Sequence, residues 1–133
     1  MSVGVLIISH DKIASALLNA VKQALGGDLP LPSATVELEA NADPELLVPK
    51  LKKVAKAMNQ GDGVLVLTDL FGSTPSNIAH NIQDCQNIRI VTGLNLPMLL
   101  RVMNYPQLNV IQLAEKARTG GQCGIIECQK TKD

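Results

Sequence analysis

Short aliphatic runs and helical stripes alternate along this chain, and that alternation leaves few ways to fold it. The first run, Val3–Ser9, has no polar side chain between Val3 and Ile8. It suits a strand covered on both faces, as in the middle of a parallel sheet. From Asp11 the spacing changes to Ile13, Leu17, Val21 and Leu25, one stripe of a helix that Gly26-Gly27 ends. Ala34–Leu38 reads as a second strand. Asp43-Pro44-Glu45 then opens a second helix with a capping acid and a proline at the first position. Leu47, Leu51, Val54 and Met58 carry its stripe, and Pro49, which lacks an N–H, is expected to kink it or delay its start.

The alternation repeats downstream. Gly63–Thr68 is the third strand, and a helix follows at Thr74-Pro75 with Thr74 as its cap. Asn87–Thr92 is the fourth strand, and Asn95–Met103 and Leu108–Ala117 are helical, with Gly120-Gly121 closing the last. Gln122–Cys128 is a candidate final short strand, and Gln129–Asp133 a polar tail. Strands interleaved with helices imply an α/β fold, here an open, mostly parallel, doubly wound sheet in the order 2-1-3-4. Without repeats or linkers, residues 1–133 are expected to form a single domain.

Composition narrows the function. Apolar residues make up 46% of the chain, yet Phe71 and Tyr105 are the only aromatics, so the core must be aliphatic. Twelve basic and twelve acidic residues cancel, with no long cationic cluster, which argues against a nucleic-acid surface. No apolar stretch reaches the roughly 18 residues of a membrane span, and the opening run lacks the flanks of a signal peptide. Cys85, Cys123 and Cys128 form no CxxC pair and read as thiols of a reducing cytoplasm, so neither metal nor cofactor is expected.

Ligands of such sheets gather at the carboxyl ends of the strands, beside the point where strand order reverses. Strand one ends on His10 and strand three on Asp69, and the order 2-1-3-4 makes these strands neighbours. A carboxylate bonded to one imidazole nitrogen fixes the tautomer and leaves the other nitrogen available as base, ligand or nucleophile. Beyond Asp69, the turn Gly72-Ser73-Thr74 leads into a helix whose first amides, with the Thr74 hydroxyl, form a natural phosphate seat. Gly72 is expected to let the backbone approach closely. Taken singly, these features have ordinary structural readings: a satisfied histidine, a turn, a helix cap. Their convergence points to a histidine that receives a phosphoryl group. Asp11 is expected to cap the first helix, and His80 to lie on a helix surface.

Three stretches resemble the mannose-type EIIA domain of the bacterial phosphoenolpyruvate-dependent sugar phosphotransferase system: the strand ending in Ser9-His10, Asp69-Leu70-Phe71-Gly72-Ser73-Thr74-Pro75-Ser76-Asn77, and Gly93-Leu94-Asn95-Leu96-Pro97-Met98. The resemblance covers nearly the whole chain. It implies that His10 takes a phosphoryl group from phospho-HPr and passes it to an EIIB partner, that Asp69 orients the histidine, and that Thr74 bonds the phosphoryl group. It also implies a homodimer exchanging a C-terminal strand, with Gln122–Cys128 as the candidate. Ser73 and Ser76 depart from the family's frequent glycine and aromatic. Because Asp133 ends the sequence with no linker or EIIB domain, the acceptor is expected to be a separate chain, or absent in a regulatory carrier. Three rivals stand beside this reading. A dihydroxyacetone-kinase phosphotransfer subunit shares the fold. A receiver-like module phosphorylated on Asp69 lacks the expected acid cluster and strand-end lysine. A dimeric sensor of His10 charge would share the same site.

Overall fold

The computed structural model describes residues 2–70, 72, 74–82 and 87–130. Phe71, Ser73 and Cys85 lie outside the described residues, as does the tail from residue 131. Four strands, β1 (Gly4–His10), β2 (Ser33–Leu38), β3 (Val64–Thr68) and β4 (Ile88–Val91), alternate with helices α1 (Ile13–Ala24), α2 (Pro44–Met58) and α3 (Thr74–Asn81). Helices α4 (Leu96–Met103) and α5 (Val110–Cys123) follow β4. All strand pairs are parallel, in the order β2-β1-β3-β4, as the alternation predicts.

The unbroken aliphatic runs are explained by a sheet covered on both sides. Val5 and Ile7 of β1, with Leu65 and Leu67 of β3, join a core with α1, α4 and α5. The alternate residues Leu6, Ile8, Val64 and Val66 join a second core with α2 and α3. Truncating a fully buried leucine such as Leu6 to alanine would cost about 2–5 kcal/mol. Register then places the chemistry: His10 stands opposite Leu38 of β2, and Ile8 opposite Thr68, the residue before Asp69. The ends of β1 and β3 therefore share one edge of the sheet.

Several local expectations are corrected. Helix α2 does start at Pro44 as expected, capped by the Asp43 carboxylate accepting from Glu45 N at 3.0 Å, but Pro49 does not delay that start, and the helix runs through it. Pro49 is exposed, so water can reach the carbonyl its missing N–H would have bonded. Thr74 is the first residue of α3 rather than the cap before it. Helix α5 does not close at Gly120-Gly121 but continues to Cys123, with both glycines buried inside it. A Cβ on Gly120 would lie 2.5 Å from Arg101 Cβ, and one on Gly121 2.9 Å from Met98 Cε. The pair is there so that α5 can press against α4, not to stop the helix. Residues 124–130 form neither helix nor strand within this one chain, and the candidate strand Gln122–Cys128 is not formed there.

Candidate active site

The Ser9-His10-Asp11 step takes the chain from β1 into α1 and holds His10 at the rim. Asp11 adopts φ 44°, a left-handed conformation that aspartate tolerates better than most residues. It does not cap α1. The cap position is Lys12, which makes no side-chain cap bond. The hydroxyl of buried Ser9 serves instead, accepting from Ala14 N at 2.8 Å and donating to the His10 carbonyl at 3.1 Å.

Across the switch point, Asp69 holds the other end of the same residue. Its Oδ2 accepts from the His10 backbone N–H at 3.0 Å and bonds Nδ1 of the ring at 2.8 Å. An ionised carboxylate can only accept, so in this pair Nδ1 carries the proton and Nε2 keeps its lone pair. The Asp69 side chain is 10% exposed and that of His10 46%, which puts the anchoring side in the protein and the ring in reach of solvent. Asp69 Oδ1 and Thr68 Oγ1 are buried and have no hydrogen-bond partner among the described residues. Chemically, a ring held in this way can serve as base, ligand or nucleophile, and a positive charge on it would meet a carboxylate.

Gly72 and Thr74 follow Asp69 at the same edge, both exposed. Gly72 has φ +77°, and a Cβ there would meet nothing within 4 Å. That backbone conformation by itself favours glycine. Neither Gly72 nor Thr74 bonds His10 among the described residues, and Ser73 lies outside them. The third loop is tied in through its backbone, Leu94 N donating to the Thr68 carbonyl at 2.9 Å. Asn95 turns elsewhere: its side chain accepts from Met98 N at 2.9 Å and donates to the Gly121 carbonyl at 3.3 Å. The Asn95-Leu96-Pro97 stretch thus locks α4 onto α5. His80 lies exposed in the last turn of α3. Cys123 and Cys128 are free exposed thiols. Among the described residues, no group of three metal-ligating side chains converges, and no helix is long and apolar enough to cross a membrane.

The family model EIIA-man, described as PTS system fructose IIA component, matches residues 4–117. The chain belongs to this family. The family comprises EIIA-type components of the sugar phosphotransferase system, whose members act as phosphotransfer intermediates. The chain is 26% identical over 104 residues to the mannose-specific EIIAB component of Escherichia coli K12, covering 77% of this chain and 32% of that protein. The chain thus spans about a third of the length of the curated relatives it matches. A mannose/sorbose-specific IIA subunit from Enterococcus faecalis superposes with a TM-score of 0.86 at 28% identity, covering 99% of this chain and 98% of that one. A sigma-54 interaction domain protein from the same organism, 14% identical, gives a TM-score of 0.76 over 92% of this chain and 93% of its own, and shows the shared fold alone.

Proposed function

We propose that residues 1–133 form a phosphohistidine carrier domain, accepting a phosphoryl group on His10 from phospho-HPr and passing it to an EIIB component during sugar uptake. The observation that carries this reading is the double grip of Asp69 Oδ2 on the backbone N–H and Nδ1 of His10. With Nδ1 protonated, the Nε2 lone pair attacks phosphorus. The bond from phosphorus to the donor breaks, and its electron pair leaves with the donor. The phosphorylated imidazole then carries a positive charge that Asp69 balances, and attack by the acceptor reverses the process. Gly72, Ser73 and Thr74 are the proposed seat of the phosphoryl oxygens, served by the first amides of α3 and the Thr74 hydroxyl. The reaction needs no metal or cofactor and takes place in the cytoplasm.

The same reading includes a homodimer. Residues Ile125 and Ile126 are 80% and 74% exposed in a segment without strand or helix, beside the edge strand β4. A cavity of about 230 Å³, lined in part by Val91, Met98 and Ile125, opens at that edge. Exchange of the C-terminal segment between two subunits would cover both.

The test is incubation with phosphoenolpyruvate, Enzyme I and HPr. The expected product is acid-labile, stable to mild base and absent from His10→Ala. Base-labile phosphate that survives in His10→Ala would instead identify Asp69 as the acceptor.

A further inference from the structure

Two thiols bracket the segment on which the proposed dimer depends. In Cys123-Gly124-Ile125-Ile126-Glu127-Cys128, four residues separate the cysteines, and the middle two are the adjacent exposed isoleucines. Both thiols are free and exposed, but the chain holds them very differently. Cys123 is the last residue of α5, a helix pressed against α4 through Gly120 and Gly121. The residue after it is fixed as well: Gly124 N donates to the Gly120 carbonyl at 3.2 Å, and a Cβ on Gly124 would collide with Pro97. Ile125 N donates to the Gln122 carbonyl at 3.2 Å. Beyond it, among the described residues, no backbone hydrogen bond holds residues 126–128, all of them exposed. One sulfur is anchored, and the other rides on a short free arm.

The arm has two uses that exclude each other. To reach another subunit it must leave its own in extended form. At about 3.3 Å per residue, five steps carry Cys128 up to roughly 16 Å from Cys123. A disulfide needs the two Cα atoms about 4.4–6.8 Å apart, which the arm attains only by folding back on the end of α5. Ile125 and Ile126 then lie inside a closed loop and cannot line up along the edge of β4. The short connection sets the two sulfurs at an effective concentration of about millimolar, above that of a second chain at micromolar concentration. Pairing within one chain is therefore favoured over pairing between chains.

We infer that Cys123 and Cys128 form a reversible disulfide within one chain, which withdraws the C-terminal segment from exchange and makes assembly sensitive to a peroxide oxidant. One cysteine sulfur attacks a peroxide oxygen. The O–O bond breaks, the thiol proton goes to the departing hydroxide, and a sulfenic acid and one water result. The other sulfur attacks the sulfenic sulfur: the S–S bond forms, the S–O bond breaks, and the hydroxide leaves with the second thiol's proton as water. Two thiols and one hydrogen peroxide give one disulfide and two waters, with two electrons passing from sulfur to oxygen. A dithiol reductant restores both thiols by exchange and becomes a disulfide itself. Transient disulfides of this kind are the ones a reducing cytoplasm permits. The inference rests on the strand-exchange dimer of the proposed function and adds what controls it.

The experiment treats the full chain with a slight molar excess of hydrogen peroxide and follows intact mass, non-reducing electrophoresis and light scattering. The wild type is expected to lose the mass of two hydrogens and to run as one chain. Its dimer dissociation constant should rise by about 100-fold or more, the scale of two isoleucines withdrawn from burial. Dithiothreitol should restore the dimer. Cys123→Ser and Cys128→Ser alter exposed positions and should stay dimeric under peroxide, whereas Cys85→Ser should respond as the wild type does. If the reduced wild type is a dimer and peroxide moves neither its mass nor its dissociation constant, the switch is wrong and the exchange stands. A reduced wild type that is already monomeric defeats both. Disulfide-linked chains on the gel, a response lost in Cys85→Ser, or dissociation of either other serine variant would place the effect elsewhere and overturn the inference.

Discussion

Asp69 grips His10 at two points with a single oxygen: Oδ2 lies 3.0 Å from the backbone nitrogen and 2.8 Å from Nδ1. The first bond ties the peptide of β1 to the end of β3. The second sets the ring's tautomer. In Asp69→Asn the shape is kept, but the charge is gone and the amide can present a donor where an acceptor is needed. The fold should persist, since this group lies past the strand end. Transfer from phospho-HPr should slow by roughly tenfold to 10⁴-fold, between the loss of a supporting partner and that of a triad carboxylate. A folded variant transferring at the wild-type rate would reduce Asp69 to a turn residue.

Ser9 holds His10 from the other side, through its carbonyl, and also satisfies Ala14 N. Removing the hydroxyl in Ser9→Ala leaves a buried amide unpaired, a cost of about 1–3 kcal/mol in stability. Ser9 is therefore expected to act as a positioning residue. Its loss should lower the limiting transfer rate by about tenfold to 100-fold, as small misplacements of a reacting group do, without changing KM for phospho-HPr. Ser9→Thr, which retains the hydroxyl, should recover most of the rate. Equal losses of rate in the alanine and threonine variants would argue against this role.

The two glycines of α5 should respond differently to alanine. In a helix interior Gly→Ala by itself gains about 0.5–1 kcal/mol. At Gly120 the new methyl meets Arg101 Cβ and Cγ at 2.5 and 2.6 Å, atoms close to the α4 backbone that cannot swing away. Overpacking of that kind costs about 1–3 kcal/mol, so Gly120→Ala is expected to be net destabilising. At Gly121 the nearest atom is the mobile end of Met98, and the two effects should roughly cancel. Urea midpoints of the two variants check the difference.

Ile125 and Ile126 are adjacent in the chain, so in an extended strand they point to opposite faces. Both can be buried together only where the strand is covered on both sides, as it would be if it extended this sheet. Light scattering is expected to report a dimer at micromolar concentration. The double substitution Ile125→Asp and Ile126→Asp should yield monomers, because each isoleucine buried contributes about 1.5–3 kcal/mol. A wild-type monomer would exclude strand exchange.

Much of this molecule could be read from local chemistry. Short aliphatic runs alternating with helical stripes led to a parallel sheet, and its order is 2-1-3-4. A titratable group at the end of two such runs, His10 and Asp69, marked the edge where chemistry belongs, and the two do meet. Other features had the same local appearance in more than one structure. A Gly-Gly pair looks alike whether it ends a helix or lets another helix approach, and only the positions of Arg101 and Met98 distinguish the two. Asp11 has the composition of a helix cap, but the turn out of β1 gives it a left-handed backbone and brings the Ser9 hydroxyl to the Ala14 amide in the first turn of α1. Asn95 belongs to a motif beside the site, yet its side chain is committed to α5. Periodicity and residue type decide which elements form, because burial and backbone bonding act over a few neighbouring residues. Which oxygen holds the histidine depends on a group 59 positions away that it meets only once the sheet has assembled.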